Sequence, residues 1–168
     1  MTIVYDFCLI QTAQNDRGVL ERFYSSLLKG NSNCSISMIF VDQNIDIESK
    51  EFFKNIQQND RFNIHVKHSL TNIGISEARN VGLEFSKKAK YLAFPDDDCW
   101  YSEDLLFRIK AFFEENPSVD FLCTRVFDPY TNRVLGLRPV KTKSIGFSNI
   151  FRLPISVGIF VRSNCVGD

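Results

Sequence analysis

No apolar run in this 168-residue chain approaches the roughly 18 to 20 residues that span a bilayer. The opening, MTIVYDFCLIQ, has no basic segment followed by a long apolar one, and it reads as having no signal peptide. An excess of one charge is missing too. Twenty Lys+Arg balance twenty Asp+Glu, for a formal net charge of +0. A bulk grip on nucleic acid needs surplus cations against phosphate, so no nucleic-acid partner is expected. The five cysteines (Cys8, Cys34, Cys99, Cys123, Cys165) form no C-x-x-C pair. Neither a zinc site nor a disulfide framework is indicated. Cys8 and Cys123 sit in apolar runs and read as small buried thiols, and a reducing cytoplasm is the expected compartment. Repeats, low-complexity tracts and a linker long enough to separate one domain from another are also absent.

What is present is ordinary for a folded domain: 44% hydrophobic and 24% charged residues, too apolar for disorder. A single core of this length buries about 68–70% of its unfolded surface without covalent staples. Sixteen phenylalanines point to a large aromatic core.

Strand-like and helical patterns alternate along the first two thirds. Ile3 to Ile10 is an apolar, β-rich run. Asn15 and Asp16 can cap a helix in which Val19, Leu20, Phe23, Tyr24, Leu27 and Leu28 recur at helical spacing, with Gly30 after it. Ser35 to Val41 reads as a strand ending at Asp42, and Glu48 to Gln58 as a helix turning Phe52, Phe53 and Ile56 inward. Phe62 to Val66 is a third strand. Ser76 to Ala89 is a third helix burying Ala78, Val81 and Phe85. Tyr91 to Phe94 is a fourth strand, running into Pro95 and three successive acids. Ser102 then caps a helix that Asn116-Pro117 ends. Beyond it lie a strand-like Phe121 to Phe127, a turn from Asp128 to Asn132, a returning Arg133 to Leu137, a basic loop with Arg138, Lys141 and Lys143, and a strand over Ile155 to Arg162.

Four such alternations predict a mostly parallel sheet with helices on both faces. Ligands of such sheets bind beyond the carboxyl ends of the strands. The polar residues there are Thr12, Asp42, Ser69 to Asn72 and Asp96 to Asp98, from four separate strand ends.

Asp96-Asp97-Asp98 carries the chemistry. Adjacent carboxylates repel one another, and hard divalent cations such as Mg²⁺ or Mn²⁺ favour such oxygens. Because a strand alternates sides, Asp96 and Asp98 point one way, where the pair can face a ligand, and Asp97 the other, where it braces the loop. The bland alternative is a solvated acidic turn. A second block runs from Asn72 to Gly82. In it Gly74 would let backbone approach a ligand, Arg79 could reach a phosphate, and Gly82 would permit close helix–sheet packing. Taken singly, each of these has a structural reading.

Together, NIGISEARNVGLEFSKKAKYLAFPDDD resembles the N-x-G-x-x-x-A-R-N-x-G…D-x-D signature of the family 2 glycosyltransferases. The resemblance extends to LIQTAQNDRGVLERFYSSLL and SISMIFVDQN, covers Ile3 to about Leu106, and is thinner to Asp168. It implies an α/β, Rossmann-like GT-A fold with a short C-terminal β-rich segment. It also implies one domain over 1–168, incomplete at its C-terminus, with a nucleotide-sugar-binding region over 1–106 and the start of an acceptor-side region over 107–168. Thr12, Asp42, Asn72, Gly74, Arg79, Asp96 and Asp97 would bind the donor, and Asp98 with Asp96 the Mn²⁺ or Mg²⁺ ion. Asp42 would contact the base. Gln11, Ala13 and Gln43-Asn44 depart from the family pattern.

The resemblance further implies an inverting transfer from a UDP-sugar to a glycan or lipid-linked acceptor, with peripheral membrane contact at the inner face and self-association among the expectations. The general base is expected beyond Asp168, with Asp120, Asp128 and Asp168 the downstream acids in the chain. The rival readings are a non-catalytic nucleotide-sugar-binding module or fragment and, less favoured, a metal-dependent nucleotidyltransferase.

Overall fold

A computed structural model describes residues 5–14, 17–30, 33–43, 47–57, 61–69, 71–86, 88–135, 144–145 and 156–166. Its elements are β1 (Tyr5–Ala13), α1 (Arg17–Lys29), β2 (Ile36–Asp42), α2 (Ile47–Ile56), β3 (Asn63–His68), α3 (Ile75–Leu83), β4 (Ala89–Ala93), α4 (Leu105–Glu115), β5 (Phe121–Cys123), β6 (Val126–Asp128), β7 (Arg133–Leu135) and β8 (Ile159–Arg162). Asn15, Asp16, Arg138, Lys141, Lys143, Ile155 and Asp168 lie outside the described residues.

Six strands form one sheet in the order β3-β2-β1-β4-β8-β5. The first four are parallel, while β8 runs antiparallel to both β4 and β5. The chain steps outward from β1 to β2 to β3, then returns to place β4 on the other side of β1. Right-handed crossovers put α1 and α2 on one face and α3 on the other. The side chains agree with that. Leu20, Phe23, Phe53 and Phe113 join Phe7, Leu9, Met38 and Phe40 in one buried cluster, whereas Cys8, Ile10, Ile39 and Leu92 form a second against Leu83. Among the described residues six phenylalanines are fully buried: Phe7, Phe23, Phe40, Phe53, Phe113 and Phe160. Each stabilises the fold by about 1.5–3 kcal/mol. Tyr91 stacks on Phe113, 4.7 Å between ring centroids, so α4 closes on β4 through its aromatic stripe.

Four local expectations are corrected. The third helix stops at Leu83, because the Ser86 hydroxyl donates to the Leu83 carbonyl at 2.7 Å and the chain turns into β4. Phe85 is consequently 46% exposed instead of buried. Ser102 is not the cap of α4. It bonds Asp104 at 3.2 Å, and the helix starts past Asp104 without a side-chain cap. The strand-like stretch 121–127 splits in two. Thr124 leaves the ladder to donate its N–H to the Gly158 carbonyl at 2.8 Å, and β6 pairs with β7 as a separate hairpin. Asn132 turns that hairpin at φ 54°, a left-handed conformation asparagine tolerates. Among the described residues, no helix is long and apolar enough to cross a membrane.

Candidate functional site

The sheet order reverses between β1 and β4, which opens a crevice at their carboxyl ends. A cavity of about 250 Å³ lies there, lined by Thr12, Gln14, Gln43, Ile75, Asp96 and Asp97. Its walls come from the ends of β1, β2 and β4 and the start of α3. A larger groove of about 580 Å³ runs between α1 and the segment after the acids, lined by Arg22, Lys29 and Trp100 among others. That groove holds no carboxylate pair and is lined by α1 and residues 100–103, away from the strand ends, so the smaller cavity is the candidate site.

Of the residues expected at the donor site, Thr12, Asp96 and Asp97 line this cavity. The reason given for the acids is corrected. β4 ends at Ala93, and Asp97 and Asp98 form a turn, so strand alternation does not sort them. Hydrogen bonds do so instead. Asp97 Oδ2 accepts the Gln14 backbone N–H at 2.9 Å and so ties the acid loop to the end of β1. Gln11 Nε2 adds a second tie, donating to the Asp96 carbonyl at 3.0 Å. Asp98 is exposed and lies outside the cavity lining.

Arg79 reaches Asp96, Nη2 to Oδ1 at 2.7 Å, with its guanidinium 5.9 Å from the centre of the Phe94 ring. It stands behind the first acid and does not line the cavity. Asn72 is at the rim, where its Oδ1 accepts from Gln14 Nε2 at 2.6 Å. Gly74 precedes α3 at φ −62° and ψ 152°, with nothing within 4 Å of where a Cβ would sit. The chain itself does not require glycine there.

Asp42 does not line the cavity. It is 0% exposed, with its carboxylate 2.8 Å from His68 Nδ1. Burial on that partner takes it out of the cavity wall, and the next residue, Gln43, lines the cavity instead. Gln14, Gln43 and Ile75 were missed from sequence. The first two are neutral amides, and the only signal was their place at strand ends.

The donor set suits a hard cation. Three successive carboxylates offer only oxygen, yet among the described residues no three His, Cys, Asp or Glu side chains are gathered into a ready cage. Mg²⁺ and its like use one or two carboxylates together with phosphate and water, so these acids fit such an ion. Behind them the Cys99 thiol is pushed up to about 12 by burial, then by the Asp96 and Asp98 carboxylates. It stays neutral beside the acids. Of the downstream acids, Asp120 is exposed, 4.0 Å from Arg162, and Asp128 accepts from the N–H groups of Tyr130 and Thr131 within its own turn. Neither enters the cavity.

The family model for glycosyl transferase family 2 matches residues 8–168. An uncharacterized glycosyltransferase of Haemophilus influenzae is 30% identical over 101 residues, covering 56% of this chain and 34% of its own length. Among solved structures, S. aureus TarS 1-349 in complex with UDP-GlcNAc aligns with TM-score 0.75 at 19% identity, over 94% of this chain and 45% of that one. The same protein with UDP aligns with TM-score 0.66 at 19% identity, over 94% and 47%. The mannosyltransferase PcManGT of Pyrobaculum calidifontis, in complex with GDP-Man and Mn2+, gives TM-score 0.61 at 14% identity, over 76% and 39%. At these identities the structures show the fold, α/β of the GT-A type. The chain spans about a third of the curated relative and under half of each of these solved chains.

Proposed function

The chain belongs to glycosyl transferase family 2, and on that premise we propose that it binds a nucleotide-diphosphate sugar, UDP-linked, as the donor-binding region of an inverting glycosyltransferase. The observation that carries this is the cavity at the switch point of the sheet, with an acid loop on one wall and amides on the others. Asp96 and Asp98 would hold Mn²⁺ or Mg²⁺, which neutralises charge growing on a diphosphate leaving group. Arg79 fixes the direction of the Asp96 carboxylate through a short ion pair. Asp97, bound to Gln14 N–H, holds the loop at the depth where its neighbours can work. Thr12 offers a hydroxyl on the cavity wall. The acceptor hydroxyl, on a glycan or a lipid-linked chain, would attack the anomeric carbon from the open side. Its deprotonation falls to a carboxylate outside the described residues. The expected place of action is the cytoplasm, at the inner membrane face where the acceptor is lipid-linked.

Titration calorimetry with UDP and Mn²⁺ tests this. Binding is expected between micromolar and millimolar, about −4 to −8 kcal/mol. Asp98→Asn should weaken it more than Asp97→Asn does, while Asp97→Asn, which loosens the tie to Gln14, should cost more stability. A folded chain giving no heat with any nucleoside diphosphate and metal would sink the assignment. Binding with no transfer to any acceptor would leave a binding module.

A further inference from the structure

Two amide side chains seat the segment between β3 and α3. Gln14 Nε2 donates to Asn72 Oδ1 at 2.6 Å, and Gln43 Oε1 accepts the Ile73 N–H at 2.7 Å. Asn72 and Ile73 are consecutive, so Gln14 and Gln43 reach the same stretch of chain from the ends of the paired strands β1 and β2. A primary amide has one acceptor atom and one donor atom, and only its oxygen can meet a backbone N–H. The bond to Ile73 thus fixes which way round Gln43 is held. What this cavity-lining side chain keeps for a ligand is its Nε2 donor. Asp42, immediately before it, is fully buried against His68.

The cavity is polarised. Asp96 and Asp97 make one wall acidic, whereas Gln43 and Ile75 carry no charge. A diphosphate can approach carboxylates only with a cation between them, so it belongs at the acidic wall. The nucleoside ring has apolar faces and a polar edge, and it suits the neutral wall, with Ile75 as a surface to lie on. Resting on the donor-binding reading above, we propose that Gln43 is the base-reading residue of this chain. Its Nε2 donates to a ring carbonyl oxygen or imine nitrogen on the base edge.

The test uses the folded chain with Mn²⁺, titrated with UDP and with pyrophosphate, which has the phosphates and no base. Gln43→Glu keeps an oxygen for Ile73 N–H and removes the donor; Gln43→Met removes both. The expected result is that each raises the ratio of the UDP to the pyrophosphate dissociation constant by about five- to tenfold, as loss of one hydrogen bond implies. Using the ratio cancels a general effect of the added charge on anions. If Gln43→Glu keeps the wild-type ratio, Gln43 only holds the Ile73 segment and the proposal is overturned. A parallel loss of both ligands overturns it as well. Failure of the wild-type chain to bind UDP, with pyrophosphate and Mn²⁺ still bound, is a different outcome. It sinks the donor reading itself, and this inference with it.

Discussion

Gly82 is the position at which α3 meets the sheet most closely. A Cβ added there would fall on Ile10 Cγ2, far inside the 3.4–4 Å of ordinary van der Waals contact, and 3.5 Å from Val41 Cγ2. Ile10 is 0% exposed and carries that methyl on a branched Cβ, so it has nowhere to swing. Overpacking of a tight core costs about 1–3 kcal/mol, and this contact belongs at the upper end. Alanine in a helix interior is better than glycine by about 1 kcal/mol. The difference leaves Gly82→Ala destabilised by about 2 kcal/mol, which in a domain of this length lowers Tm by about 4–8 °C.

Urea and thermal unfolding followed by circular dichroism measure this directly. A double-mutant cycle with Ile10→Ala isolates the contact, because deleting the opposed methyl makes room for the new one. The single Ile10→Ala variant should lose about 2–5 kcal/mol. In the Gly82→Ala background it should lose less, with a coupling of about 1–2 kcal/mol. Gly74→Ala is the control: its Cβ meets nothing within 4 Å, so its stability should stay within about 0.5 kcal/mol of wild type. Arg79 sits one turn before Gly82 on the same helix and holds Asp96. Lifting α3 off the sheet should therefore also weaken metal-dependent UDP binding. A Gly82→Ala chain as stable as wild type, or a coupling of zero, would refute the reasoning, since helix propensity would then have outweighed a contact that is not there.

Asp6→Asn should cost about 1–3 kcal/mol at neutral pH, since Asp6 Oδ2 accepts from Lys110 Nζ at 2.9 Å and Ser35 N–H at 3.1 Å. Burial acts to raise the Asp6 carboxyl, but Lys110, Ser35 and Lys90 together hold it below its ordinary 3.8. Its contribution is thus full above that value and lost as pH falls through the lower folded value, so unfolding of wild type and variant should converge in acid. Iodoacetamide near pH 8 should leave Cys8 and Cys99 unmodified in the native chain and modify both in urea, because burial pushes each thiol up to about 12. Fast native labelling of Cys99 would mean that the acid loop opens.

Much of this was legible because it rests on local pattern. The stripe Leu20, Phe23, Leu27 is written at helical spacing, and β1, β2 and β4 are apolar runs. Alternation of the two then dictates a parallel sheet. The errors fall where a distant residue decides. Nothing near Asp42 announces that His68, 26 positions on, will close over it once β2 and β3 pair. Phe85 is the exception, a local decision: its neighbour Ser86 takes the Leu83 carbonyl and ends the helix, where the apolar spacing alone would have continued it. The expectation that Asp97 braces the loop reached a contact that exists, though through the wrong geometry: a turn and a bond from β1, not strand alternation.

The residues read as departures from the family pattern have work in the structure. Gln11 bonds the Asp96 carbonyl and Gln43 bonds the Ile73 N–H, so each ties a strand end to a neighbouring loop. Charge cannot do this cheaply here. A carboxylate at Gln11, which is 1% exposed, would have to be desolvated beneath three more acids. At Gln43 it would add a third carboxylate to the cavity wall, beside Asp96 and Asp97. Neutral amides supply directional bonds without that repulsion, which leaves the acid loop as the one strongly negative wall. On the proposed donor-binding reading, a cation and the phosphates would be drawn to that side of the cavity, and the opposite, uncharged side would be left for the portion of the ligand that must be told apart from its analogues.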